Sequence, residues 1–177
     1  INNNGGLITS SSNVSNLVFA GTGTYNHNMN GGAIPSSTQS PFATWSATSN
    51  CNITGITTLN PSPFRGTFGN LTWNNSGQTS ATGAVSGAVT VAGDLTVNAG
   101  TLYDNGQIIT GNASGAFSVS DGATYRTIRS TTLPLLPTFP GANVSLAPTS
   151  TIMFAGTTAH NIPNNPTNSG TMTNYGI

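Results

Sequence analysis

The chain has 177 residues, 35% of them hydrophobic and only 3% charged, with a net charge of zero. Ordinary globular domains carry about 25% charged residues; here the whole charged set is Arg65, Arg126, Arg129, Asp94, Asp104 and Asp121, with no Lys and no Glu. Three scattered arginines exclude a nucleic-acid interface, which needs clustered basic side chains, and the lack of any run of 18 apolar residues excludes a membrane-spanning helix.

Taken in chain order, the predicted elements are short and β-like. Gly, Pro, Asn or β-branched residues interrupt every candidate apolar period of 3.6, so helix is expected to be nearly absent. The first apolar run, Leu17-Val18-Phe19-Ala20-Gly21-Thr22-Gly23, has an echo near the other end, Ile152-Met153-Phe154-Ala155-Gly156-Thr157-Thr158. Each copy is followed by a histidine, His27 or His160, and then by Ile-Pro. Residues 36–41 read as a loop. Trp73-Asn74-Asn75-Ser76-Gly77 after Phe68-Gly69 resembles Ile1-Asn2-Asn3-Asn4-Gly5 placed after Tyr175-Gly176, which suggests head-to-tail repetition.

The clearest pattern follows. Val89 and Val91 alternate, Ala92-Gly93-Asp94 turns, Leu95 and Val97 alternate, Asn98-Ala99-Gly100 turns, and Leu102 begins again. Asp104-Asn105-Gly106 turns once more before Ile108 and Ile109, and Phe117 with Val119 leads into Asp121-Gly122. Residues 131–148, rich in Pro, read as a loop excursion laid over the body, because proline cannot donate a ladder hydrogen bond.

Strands of three to five residues between corners of two or three are too short for free-standing hairpins. They fit the sides of a coil that stacks each turn on the last. The expected fold is therefore all-β, a right-handed parallel β-helix or β-solenoid, with residues 1–177 forming one module of a longer repetitive chain or filament. About 20 residues per coil and about 4.8 Å per step give about eight or nine coils and a rod near 40 Å. The alternative is a β-sandwich fibre subunit whose residues 6–10 serve as a donor strand in the next subunit. A start at Ile1 without Met suggests a piece of a longer precursor.

Chemistry-bearing residues are sparse. Asp94, Asp104 and Asp121 each adjoin Gly or Asn at a corner, so each is expected to cap backbone amides; weak Ca²⁺ binding by Asp94 and Asp104 would need more oxygen ligands. His27 and His160 are expected to share one structural role, and neither has the Cys or Glu company of a zinc site. Cys51 is alone, so no intrachain disulfide forms, and it reads as a small buried hydrophobe. No nucleophile elbow or paired-carboxylate pattern is present. The chain is therefore expected to be no enzyme and to use no cofactor or metal.

Six Asn-x-Ser/Thr sequons begin at Asn13, Asn52, Asn70, Asn74, Asn112 and Asn143. Trp45, Trp73, Tyr25, Tyr125 and Tyr175 are expected to fill the core, with Tyr103 beside Asp104-Asn105 as the exposed exception; Tyr103 and Asn105 are the candidate glycan contacts. Ile1, Leu7, Met172, Tyr175 and Ile177 are candidate assembly edges.

Several segments resemble a known family. Phe68-Gly69-Asn70-Leu71-Thr72-Trp73-Asn74-Asn75, Gly93-Asp94-Leu95-Thr96-Val97 with Gly100-Thr101-Leu102, and the Phe-x-Gly-Thr…Ile-Pro segments look like repeat modules of very large secreted surface proteins of gliding Bacteroidetes. Gly23-Thr24-Tyr25-Asn26-His27, Gly31-Gly32-Ala33-Ile34-Pro35, Thr44-Trp45 and Ile53-Thr54-Gly55 are similar to the module that often precedes them. The resemblance implies export by a gliding-associated system and a role as adhesin or surface filament, with no catalytic residue carried over. The expected function is thus an extracellular or cell-surface fibre whose main partner is itself, with surface glycans as a second partner. A carbohydrate-binding module or polysaccharide-active β-helix is the alternative.

Overall fold

The computed structural model describes residues 1–6, 8, 17–79, 85–129, 135–139 and 143–157, and the backbone of 175–176. Among these the secondary structure is entirely β, with no helix. In chain order the strands are β1 (Asn2–Asn3), β2 (Val18–Phe19), β3 (Thr24–His27), β4 (Thr44–Trp45), β5 (Asn50–Ile53) and β6 (Gly66–Phe68). There follow β7 (Asn70–Asn74), β8 (Val89–Val91), β9 (Leu95–Ala99), β10 (Thr101–Tyr103) and β11 (Ile109–Thr110). The last are β12 (Phe117–Val119), β13 (Thr124–Thr127), β14 (Val144–Leu146), β15 (Thr151–Phe154) and β16 (Tyr175–Gly176).

Every pairing between these strands is parallel, which makes the chain a β-solenoid and rules out the sandwich alternative. The main wall is a seven-stranded sheet in the order β1-β3-β5-β7-β9-β12-β14. The strands that precede β3, β5, β7, β9 and β12 lie on a second wall, built from the pair β2-β4 and the sheet β11-β8-β6. A third wall, β10-β13-β15-β16, carries the strands that follow. In the first coils residues 28–43 and 54–65 run where this third strand would lie, so that side is irregular until β10.

Asn50 pairs with Asn70, and Phe117 with Val144, so a coil takes from 20 to 27 residues. The expected 20-residue coil was the lower limit, because the excursions after β3 and before β14 lengthen it. Among the described residues the main wall has seven rungs, which at about 4.8 Å spacing span roughly 29 Å, and β16 adds one further step on the third wall. The excursion expected at 131–148 also ends early, since Val144-Ser145-Leu146 alternates and joins the main wall as β14. Its described part lies against the body: Leu135 and Phe139 are buried and Thr138 bridges to Thr110.

Alternation fixes which side chains enter the core, because a strand side chain changes face at each residue. Register then places like on like. One inward column runs Tyr25, Cys51, Leu71, Leu95, Phe117 and Val144, and its neighbour runs His27, Ile53, Trp73, Val97, Val119 and Leu146. Rings fill the wide first half: Phe19 stacks on Trp45 at 4.0 Å, Trp45 tilts onto Phe68, and Phe64 stacks on Trp73 at 6.1 Å. Of the aromatics expected in the core, Trp45, Trp73, Tyr25 and Tyr125 are there, while the side chain of Tyr175 lies outside the described residues.

The corner between β6 and β7 needs glycine for close approach, since a Cβ at Gly69 would collide with the carbonyl oxygens of Ser46 and Ser49. The two echoes do not occupy equivalent places. Val18–Phe19 precedes a main-wall strand, whereas Thr151–Phe154 follows one; likewise Phe68 lies on the second wall and Tyr175 on the third. Similar wording serves different sides because every side demands the same apolar strand followed by a small corner.

These assignments predict opposite outcomes for adjacent residues. Leu95→Ala empties an inward position and should lower stability by about 2–5 kcal/mol, whereas Thr96→Ala on the outward side should cost roughly 0.5 kcal/mol or less. Urea unfolding of both variants checks this; equal losses would contradict the register.

Candidate functional surface

The outward side of the main wall is the most regular surface of the molecule. One column carries Asn2, Asn26 and Asn52, then Thr72, Thr96, Ser118 and Ser145, each directly over the last. Asn26 donates to Asn2 Oδ1 at 2.6 Å and Asn52 to Asn26 Oδ1 at 2.8 Å. Ser118 continues onto Thr96 at 3.2 Å. Flanking columns repeat the device: Asn28 donates to Asn4 at 3.0 Å, Asn70 to Asn50 at 3.0 Å, and Ser120 to Asn98 at 3.0 Å.

This geometry explains the abundance of sequons. On a strand, residues i and i+2 share a face, so outward Asn and Thr in adjacent columns spell Asn-x-Thr automatically, as at Asn52 with Thr54 and Asn70 with Thr72. Those amides are engaged in the ladder. Asn13 lies outside the described residues.

All three aspartates accept backbone amides, as expected, and two of them do so across coils. Asp94 Oδ1 accepts Ala116 N at 2.8 Å, and Asp121 Oδ1 accepts Thr149 N at 3.1 Å. Asp104 caps its own corner through Gly106 N at 2.9 Å and also holds a group that sequence reasoning missed. Its Oδ2 accepts Arg129 Nε at 2.9 Å and the Tyr125 hydroxyl at 2.9 Å, with both charged side chains fully buried. Arg129 Nη2 further reaches Leu135 O, tying the returning excursion to the third wall. Burial, and the nearby Asp104 charge, push the Tyr125 pKa well up. The available signal was coil spacing: Asp104 and Arg129 are 25 residues apart, one coil in this chain.

Tyr103 stands at an outward position of β10, yet it is only 8% exposed, with the Arg126 guanidinium 4.4 Å above its ring centroid. The expectation of an exposed ring is thereby corrected: its face is occupied by a cation on the next rung. Asn105 beside it is exposed, with φ of 51° and its amide on Val85 O. Of the expected assembly edges, Ile1 is 59% exposed at the first rung, and the backbone of Tyr175 pairs with Ile152. Leu7, Met172 and Ile177 lie outside the described residues, as does His160.

His27 is buried in a polar chain. Asn3 donates to the Tyr25 hydroxyl at 3.1 Å, which meets His27 Nδ1 at 3.0 Å, while His27 Nε2 meets Gly31 O at 2.7 Å. A carbonyl can only accept, so Nε2 carries the proton and Nδ1 accepts from Tyr25. Burial lowers the His27 pKa, partly offset by the Gly31 carbonyl. Burial also raises Tyr25 to about 12 and pushes the Cys51 thiol up, so Cys51 stays protonated and inert. Among the described residues, no three His, Cys, Asp or Glu side chains gather as metal ligands, and no helix is long and apolar enough to cross a membrane.

The chain matches no protein-family model, no curated protein and no solved structure.

Two predictions follow the buried groups. A histidine whose folded pKa is depressed adds stability above its unfolded value of about 6.5, and that share is lost as pH falls. Raised Tyr25 and Tyr125 add stability below about pH 10, lost as pH rises beyond it. Urea midpoints should therefore plateau between about pH 7 and 9 and fall on both sides, with His27→Asn flattening the acid limb. Separately, Arg129→Met should cost about 3–5 kcal/mol by stranding Asp104. Adding Asp104→Asn should recover part of it; a double variant as unstable as the single would refute the coupling.

Proposed function

We propose that this chain is an extracellular or cell-surface structural module, a stiff solenoid that joins like units end to end and presents an uncharged polar face to its surroundings. The observation that carries this reading is the main-wall ladder, in which uncharged Asn, Thr and Ser side chains bond from rung to rung. A surface whose polar groups serve one another along the axis suits a rod: it adds stiffness, and it offers regularly spaced donors and acceptors to polar, uncharged matter such as glycans. The resemblance to secreted Bacteroidetes surface modules supports export and an adhesive or filamentous role. The carboxylates support a non-catalytic reading too, since each is spent on a backbone amide.

The carbohydrate-active alternative has less behind it. Sugar-binding clefts rely on exposed rings for stacking, and Trp45, Trp73, Tyr25 and Tyr125 are all buried.

Assembly in this reading rests on backbone pairing and apolar burial, so ionic strength is a direct test. Filament formation by the purified chain, scored by electron microscopy, should change little from about 0.01 M to about 1 M salt, although the Debye length falls from about 30 Å to about 3 Å. Separate particles at all concentrations, or filaments that dissolve in moderate salt, would overturn it.

A further inference from the structure

We propose that the second wall is an ice-binding face, on which a rank of outward threonines meets the ordered water of a crystal surface. The face belongs to a single chain and does not depend on end-to-end assembly.

Register builds it. Thr67 pairs with Thr90, and Thr90 with Thr110, across β6, β8 and β11. Thr138 supplies the next rung: it bridges to Thr110, with Thr138 N on Ile109 O and Gly111 N on Thr138 O, both at 3.0 Å. The flanking Phe68, Val89, Val91 and Ile109 are buried, so by alternation the threonines beside them share the outward side. Thr90, Thr110 and Thr138 are exposed and Thr67 is half-buried. Parallel pairing spaces them at about 4.8 Å, and the branched Cβ of threonine keeps χ1 stiff, so hydroxyls and methyls repeat in step.

Each wall of the molecule carries a hydroxyl column, and this one differs from the other two. On the main wall the groups serve one another, as Ser118 serves Thr96 and Asn52 serves Asn26. On the third wall Thr101, Thr124 and Thr151 also stack in register, but they are only half exposed and share their side with the Arg126 cation over Tyr103 and with Met153. The hydroxyls of Thr67, Thr90, Thr110 and Thr138 bond neither to one another nor to any other described residue.

The second wall is also uncharged where the rank runs, since β6, β8 and β11 read Gly-Thr-Phe, Val-Thr-Val and Ile-Thr. Two residues before each strand threonine the same side continues as Arg65, Ala88 and Ile108. Arg65 stands at the lower end and donates its Nε to Gln39 Oε1 at 3.0 Å, while Ala88 and Ile108 are exposed and extend the methyl surface.

These features select the occupant. A dissolved sugar would touch one or two rungs and would rely on an exposed ring, which β6, β8 and β11 do not offer. A neutral solid whose repeat is close to the rung spacing engages every rung at once, and linked contacts multiply. Equivalent oxygen atoms along one axis of hexagonal ice repeat at close to this spacing. Threonine hydroxyls both donate and accept, so they can enter a water lattice, and the methyls between them leave the intervening water to bond mainly with water.

Incorporation of the purified full chain into slowly grown polycrystalline ice tests the assignment, with the gap between freezing and melting of a single crystal as a second readout. The parental chain should be enriched in the ice over a control protein of similar size without ice affinity, and should open a measurable gap. Thr90→Tyr/Thr110→Tyr should lower the incorporated fraction by about tenfold, because two bulky rings lift the whole rank from the lattice. Thr90→Ser/Thr110→Ser keeps the hydroxyls but removes the methyls and the χ1 restraint, and should also lower it. Ser145→Tyr, at an exposed position of the main wall, should leave it unchanged. All three positions are exposed, so a parental urea midpoint distinguishes a lost face from a lost fold.

A parental chain excluded from ice like the control, threonine variants incorporated as well as the parent, or an equal loss in Ser145→Tyr would each overturn the assignment. Retention on microcrystalline cellulose together with exclusion from ice would overturn it in favour of a crystalline glycan.

Discussion

The structure depends on one constraint, parallel strands stacked in register. Once Asn50 pairs with Asn70 and Leu71 with Leu95, the parity of every residue on the main wall is set. A slip of one residue would turn Leu71, Trp73, Leu95 and Val97 out to solvent and pull Asn70 and Thr72 into the core. The apolar columns and the polar ladder are therefore two faces of the same register. Each protects the other: core burial supplies most of the free energy, and the outward amides penalise alternatives in which they would be buried without partners.

That coupling explains how a chain with so little charge can specify one fold. Soluble proteins commonly guard sheets against misassociation with Lys and Glu. Here the sheet edges along the axis are occupied by the chain's own rungs, and the corners are closed by side chains that bridge coils. Asn30 is the clearest case, its Oδ1 accepting Thr57 N, Thr58 N and Leu59 N of the next coil. The fully buried ion pair of Asp104 with Arg129 sits where the chain leaves β13 for the excursion that returns to the wall at β14. A buried pair is a costly way to add stability, but it is selective, because only the correct return brings Leu135 O to the guanidinium.

How much of this was legible in the sequence follows from which features are local. Alternation and corners are local, so Val89–Val91, Leu95–Val97, the strand opening at Leu102 and Phe117–Val119 could be read off the chain, together with the Asp104-Asn105-Gly106 turn; Asn98 and Ala99, expected in a turn, instead continue β9. Coil length is not local. It depends on how far residues 28–43 and 54–65 wander before rejoining the wall, and nothing in their composition sets that distance. The repeated Leu-Val-Phe-Ala-Gly and Ile-Met-Phe-Ala-Gly phrases misled for the same reason, since strand and corner chemistry is identical on all sides and only the count of preceding residues assigns a side. Tyr103 was legible in parity and illegible in exposure, because its cover, Arg126, comes from the next rung.

Long-range pairs become readable once the coil period is known, which gives the ladder its wider meaning. In this chain a residue's environment is decided mainly by what stands one coil before and after it, as Asn26 is by Asn2 and Asn52. The corners obey the same rule, since Asn30 serves three backbone amides of the coil that follows and Asp94 serves Ala116 N one coil on. A substitution at one rung is therefore felt first by the rungs beside it, through core column and ladder alike.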